Sequence, residues 1–489
     1  MPGRLDNVRL AVNCCNSLGL DVYCRYTNAK PLENMFFSPF ALAAGLSMTL
    51  AGARDATAEE IMRLMHIERG LFETQREMVD LIRQLRNESG EVELRLATGA
   101  FVRLGYRPTD EYWATVRRVY GGTVHEVDFV EDSEMVRRQI NSWVREHTDH
   151  QVKEVTEPPQ CQLTASQILT PGSVTSATRL CIVNGVQFRA MWTDPFYETE
   201  LRRHEFHATN DDEEGSEVEV EMVARIDEYG YIVDRDLCFT AVEVIQKGDK
   251  TSLVIVMPHQ RHDFHVLEER QNLDKLLDLP NRMTRTPDVE LCLPRLKLDM
   301  GMRLESILYY MGLADLFSER ANLSGMFGEG VNMHATEWVH HAVADMVNDP
   351  TKPRRYSFCS TGDSSPPDPT SRSTDEELSP PPASALARRR SSTASRGSNE
   401  ESPLVASAVA EAVEAARRRG SGSATPPSAA AQPKTSCLKK EGKKTKARVR
   451  RTSTVRTTIP FVVNRPFIFY VLHRELSLLL FMGVVKRIA

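Results

Sequence analysis

No CxxC pair occurs among the nine cysteines (14, 15, 24, 161, 181, 238, 292, 359 and 437), and their number is odd. A chain of 489 residues can bury enough core to do without disulfide staples, so the spacing argues for free thiols in a reducing compartment. Cys14, Cys15 and Cys24 lack the matching His or Cys cluster that a zinc site requires. The N-terminus, MPGRLDNVRLAVNCC, carries Arg4, Asp6 and Arg9 where a cleavable leader needs an unbroken apolar run. A cytoplasmic or nuclear location is therefore expected, with an extracellular one as the alternative. The most apolar stretch, residues 467–485, has His473, Arg474 and Glu475 near its middle, where charge is expensive in lipid. Two buried strands joined by a polar turn fit it better than a membrane span.

Aromatic residues are nearly missing from 350–458, which holds only Tyr356 and Phe358 but twelve of the 26 prolines. Such a composition cannot bury enough apolar surface to offset ordering entropy, so disorder is expected there, apart from a marginal alanine-rich helix at 407–419. Three segments follow: an ordered 1–349, a Pro/Ser/Arg-rich 350–458 and an ordered 459–489. With 26% charged residues and a net charge of −6, a general nucleic-acid binder is not indicated. The charge is nevertheless uneven, since residues 434–456 carry ten Lys or Arg against the single acid Glu441. Lys439, Lys440, Lys443, Lys444, Lys446 and Arg448 form the densest part, a pattern suited to a polyanion or a nuclear-import factor. Serines just after arginines in RRRSSTASRGS (388–398) suit basic-directed kinases.

Outside that segment, helical and strand periods mix. Residues 39–65 read as two helices broken at GARDAT, with Thr57 and Glu60 spaced like a capping box. Residues 134–148 place Met135, Ile140, Trp143 and Val144 near one helical face, and 304–317 read as one further helix. Strands are expected at 91–102, 179–188, 216–226, 239–247 and 251–258. The histidines of HQRHDFH (259–265) follow Pro258 and suit a surface turn better than a metal site. The fold class is α+β with segregated elements.

Seven stretches then occur in a telling order: FFSPFALAAGLSMTLAGARDATAEEI (36–61), INSWVREHT (140–148), VNGVQFRAMWTDPF (183–196), LPRLKLD (293–299), MGLADLF with ANLSGM (311–326), VHHAVADMVND (339–349) and FVVNRPFIFYV (461–471). Together they resemble the serpins, the serine protease inhibitor family. The resemblance implies three β-sheets, eight or nine helices and an exposed reactive loop between the VHHAVADMVND and FVVNRPF strands, which is where residues 350–458 fall. It implies no enzyme, catalytic residue, cofactor, metal or membrane, a monomer, and a serine protease as partner, of trypsin-like specificity if Arg456, Arg451 or Arg450 is cut. It places Ser38, Asn184 and His340 where the large sheet parts and Trp192 near the top of the opening, with Ala41 standing where a serine is usual and Thr98 where an asparagine is.

The departure from the family lies in the hinge. Pro350, Thr351, Lys352 and Pro353, followed by Arg354 and Arg355, stand where the family has small residues that slide into a sheet. Proline cannot donate to a central ladder, and either register of an inserted strand buries a Pro, Lys or Arg. Arg456 is also about a hundred residues beyond the hinge, too long a tether to haul a cleaved protease. Weak or lost trapping is expected, the alternative being a non-inhibitory scaffold that presents its basic, phosphorylatable loop to a partner.

Overall fold

The computed structural model describes residues 7–68, 70–87, 92–148, 162–164, 169–190, 201–208, 217–260, 264–294, 297–345 and 458–488. The chain divides into two units, 1–352 with 453–489 and 353–452, and every described residue belongs to the first.

In chain order the helices are α1 (Arg9–Ala29), α2 (Pro39–Gly52), α3 (Asp55–Leu64), α4 (Leu71–Asn87), α5 (Asp110–Thr115), α6 (Ser133–Thr148), α7 (Phe264–Leu267), α8 (Arg270–Leu277), α9 (Leu279–Arg282), α10 (Glu305–Tyr310) and α11 (Ser324–Phe327). Three of these span only four residues. The strands are β1 (Met35–Phe37), β2 (Val92–Arg103), β3 (Thr123–Val127), β4 (Gln162–Thr164), β5 (Leu180–Ala190), β6 (Leu201–His207), β7 (Glu217–Asp234), β8 (Phe239–Ile245), β9 (Thr251–Pro258), β10 (Thr284–Pro294), β11 (Lys297–Arg303), β12 (Glu337–Asp345), β13 (Ile459–Val462), β14 (Phe467–His473) and β15 (Leu478–Val485).

Helix α2 is apolar all round, PFALAAGLSMTLAG, and is buried at nearly every position. Such a helix has no face to give to solvent, so it serves as the core that both sheets cover. Pro39 stands at its first turn, where a missing N–H costs nothing, and Ser38 caps it by accepting the Ala41 N–H at 3.1 Å. Helix α1 is capped from outside: Glu77 of α4, 7% exposed, accepts the Leu10 and Ala11 N–H groups at 2.6 and 3.3 Å.

Hydrogen bonding joins the strands into two sheets. One is six-stranded, in the order β3-β2-β5-β12-β11-β4. The other is nine-stranded, in the order β1-β15-β14-β9-β8-β7-β10-β13, with β6 on β7. The three sheets implied by the resemblance merge into two because β7 is shared: residues 217–223 pair with β6, 222–231 with β10 and 230–234 with β8. The 216–226 strand is for that reason eight residues longer than the sequence pattern shows at its C-terminal end, running on to Asp234. Strand β13 lies parallel to β10 from Val289↔Ile459 to Cys292↔Val462, with Pro460 on an edge strand, where its missing N–H is tolerated.

Other local expectations shift for identifiable reasons. Thr57 does not cap α3, which starts at Asp55; the Thr57 hydroxyl accepts the Asn322 N–H and Glu60 accepts that of Asp315. Met135 is 64% exposed, and Val136 takes its place in the core beside Ile140, Trp143 and Val144. The 304–317 helix stops at Tyr310 because Gly312 takes φ +103, and a 3-10 turn at Asp315–Phe317 follows. Residues 467–485 are two strands as expected, and among the described residues no helix is long and apolar enough to cross a membrane.

Candidate functional site

The middle of the six-stranded sheet is a seam between two parallel strands. Strands β5 and β12 pair directly over eight positions, from Glu337↔Cys181 to Ala344↔Phe188, and both have antiparallel neighbours outside, β2 and β11. Cross-strand register sets Thr98, Asn184, His340 and Met302 in one row across it. Ser38, at the start of α2, reaches this row from below.

Besides accepting the Leu42 N–H at its carbonyl, Ser38 makes three bonds at once. Its Oγ donates to the Leu480 carbonyl of β15 at 2.6 Å and accepts from Ala41, while its backbone N–H donates to His340 Nε2 at 3.0 Å. An acceptor role for Nε2 fixes the imidazole as neutral, with its proton on Nδ1. That Nδ1 is buried and has no hydrogen-bond partner among the described residues. Burial, and then the neighbouring His341, push the His340 pKa down to about 3. His341 points to the other face and meets Asp299 Oδ1 at 2.7 Å.

Asn184 is fully buried; its amide reaches Thr98 Oγ1 at a long 3.5 Å and its Oδ1 has no partner among the described residues. The seam row thus holds an unsatisfied donor on His340 and an unsatisfied acceptor on Asn184, each costly in a dry core. Two neighbouring residues account for the shortage in chemical terms. Ala41 is fully buried and brings no hydroxyl to the first turn of α2, and Thr98 offers a single oxygen to the asparagine beside it. Gly45 completes the floor of the site, since a Cβ there would stand 2.4 Å from Asn184 Nδ2.

Of the residues singled out from sequence, Ser38, Asn184 and His340 come together here. Trp192, the hinge residues Pro350, Thr351, Lys352 and Pro353, the arginines 450, 451 and 456, and the basic run Lys439 to Arg448 lie outside the described residues, as do the 407–419 segment and residues 261–263 of the histidine-rich turn. Gly45 and Leu480 were not legible as site residues. The one available signal for Gly45 was a glycine inside an otherwise strong helix.

A family model described as serpin (serine protease inhibitor) matches residues 13–375. The chain belongs to the serpins. Among curated proteins it is similar to Iris of Ixodes ricinus, at 31% identity over 338 residues, covering 69% of this chain and 84% of that one. It is similar to leukocyte elastase inhibitor A of Mus musculus at 27% identity over 339 residues, covering 68% and 84%. Among solved structures, uncleaved ovalbumin superposes with a TM-score of 0.67 at 20% identity, covering 97% of this chain and 99% of that one. The serpin fold expected from the motif order is thereby established, and the family is one of serine protease inhibitors.

Proposed function

We propose that this serpin is presented to trypsin-like serine proteases as a bait, is cut in the segment between β12 and β13, and traps the cutter weakly or not at all. The observation that carries the reading is the closed seam: β5 and β12 are paired along eight positions, so any inserted strand must first separate them and then supply a full ladder of its own. The residues next in line after β12 include Pro350, Lys352, Pro353, Arg354 and Arg355. A central strand needs an N–H at each ladder position and tolerates neither proline nor an unpaired buried charge. Ser38, Asn184 and His340 act as structural pins of the seam in this reading, without any chemical role; Arg456, Arg451 and Arg450 are the bonds cut, and neither metal nor cofactor takes part.

The segment 350–458 is then an insertion in the reactive loop, between a 1–349 part and a 459–489 part of one serpin domain. Its ten basic residues within 434–456 favour a second role, a scaffold that offers a salt-sensitive anion-binding loop to a polyanion or a nuclear-import factor. A monomer in the cytoplasm or nucleus fits both roles.

Incubation of the full chain with an equimolar trypsin-like protease, followed by a denaturing gel, tests the reading. Cleavage of the serpin without a covalent complex is expected. A boiling-resistant band at the summed mass of the two proteins overturns it.

A further inference from the structure

The seam begins at Glu337, opposite Cys181. Although glutamate is rarely buried, Glu337 is only 7% exposed. Its carboxylate lies 2.6 Å from Arg303 Nη2, and the same nitrogen lies 2.6 Å from Glu305 Oε1. Two carboxylates from two elements therefore converge on one guanidinium, at the point where β12, β11 and the start of α10 meet. Glu305 also lies 3.5 Å from the Trp338 N–H, the next residue of the seam strand. One cation facing two anions leaves a surplus negative charge, and although Arg303 is 42% exposed, that charge is costly at the nearly buried Glu337 unless a proton removes it.

Among the described residues no cation other than Arg303 reaches the two carboxylates. On β5, Cys181 presents a thiol whose pKa burial pushes well above its ordinary value, with Glu337 adding to the effect. Helix α6 covers that face of the sheet through Val136, Ile140, Trp143 and Val144. Its buried Arg137 is already held by Glu134 and the Leu169 carbonyl. In the approach to β12, His334 is held below its usual range by burial and by Arg179, and Arg179 itself binds the Asn332 carbonyl. Thr336 accepts the Arg179 N–H and donates to the Leu180 carbonyl. Burial, and then Glu305, push the Glu337 pKa up to about 7 against the pull of Arg303.

We propose that Glu337, Glu305 and Arg303 form a proton-operated latch at the foot of the β5–β12 seam, closed when Glu337 holds its proton and loosened when it does not. With the proton in place, one carboxylate faces one guanidinium and the Glu337 O–H can donate to its partner acid. Without it, the surplus charge loosens β12 from β11 and α10, which hold it on the side away from β5, so the strand's support at the foot of the seam is lost. The folded state raises the Glu337 pKa, so this contribution to stability is complete below the unfolded glutamate value and is lost as pH rises through about 7. The latch rests on the reading of the seam as the place where the sheet parts, and it would make that parting depend on proton concentration near neutrality.

Hydrogen exchange by mass spectrometry on the full chain, from about pH 5.5 to pH 8.5 and corrected for intrinsic exchange rates, tests it. Protection of 181–188 and 337–344 is expected to fall with rising pH, by at most about tenfold per pH unit, the limit for one proton. Protection of 468–472 in the other sheet should not follow. Glu337→Gln should flatten the fall, Glu305→Gln should move it to lower pH by removing the second anion, and Arg303→Gln should move it to higher pH by removing the cation that opposes it. If Glu337→Gln fails to fold, Glu305→Gln decides alone. Local opening of the seam with no pH dependence, or with a fall that stays at the wild-type pH in Glu305→Gln, overturns the latch. Seam amides that exchange only together with the whole molecule at every pH overturn the opening reading beneath it, whatever the protease gel shows.

Discussion

Gly45 of α2 and Asn184 of β5 share a space that holds no further atom: a Cβ on Gly45 would lie 2.4 Å from Asn184 Nδ2 and 2.5 Å from Oδ1. Contacts under 3.0 Å cannot be met without moving a side chain, and Asn184 is fully buried between Thr98 and His340. Helix α2 thereby fixes the asparagine at the centre of the seam through an absence of side chain.

Gly45→Ala is therefore expected to destabilise the protein by roughly 1–3 kcal/mol, the usual cost of overpacking a core, although alanine alone would favour the helix by about 1 kcal/mol. Urea unfolding measures it. Equal or greater stability of the variant would show that Asn184 has room to turn away and that the helix does not pin it.

A second expectation concerns acid. His340 is neutral in the folded chain, with its pKa pushed down to about 3 from an ordinary value near 6.5. The sign follows: its contribution is present above pH about 6.5 and is lost as pH falls toward 3, because only the unfolded state takes up the proton. The ceiling is about 1.4 kcal/mol per pH unit. His340→Asn should therefore show a shallower loss of stability than wild type between those limits, in unfolding curves at stepped pH. Parallel curves would show that the imidazole is protonated in place.

The residues of this row show what one sequence can and cannot convey. Motif order carried the serpin fold, and with it Ser38, Asn184 and His340, because short segments keep their local chemistry. Their contacts could not be read off. Ser38 meets His340 across 302 positions and Leu480 across 442, and no local period reports such pairs. Strand β7 ran past its apparent end because Asp227 and Tyr229 keep ladder partners on β10, at Val289 and Thr286, so polar residues that resemble a turn stay in the sheet. Met135 and Val136 exchanged roles because one residue of helix rotation is about a hundred degrees, finer than an apolar count resolves. Glu337 escaped notice altogether, since an isolated acid ahead of an apolar strand reads as a solvated end.

Lys486 shows the same limit near the C-terminus and carries the last expectation. It follows β15, is 2% exposed, and is held by Glu268 at 2.9 Å and the Pro31 carbonyl at 2.8 Å, with the Phe264 ring 5.5 Å away. Glu268 is itself pushed above its ordinary pKa by burial, against the pull of Lys486, and accepts the Tyr23 hydroxyl at 3.2 Å. Removing one partner of a buried pair leaves the other charge without compensation, so Lys486→Met should cost roughly 3–5 kcal/mol near neutral pH. The loss should shrink in acid, where Glu268 takes a proton and no charge remains to be stranded. Adding Glu268→Gln should recover much of the neutral-pH loss for the same reason, a coupling that a double-mutant cycle reads directly. If the two losses simply add, and neither depends on pH, the pair contributes through packing of the lysine stem on Phe264 and its charges are immaterial.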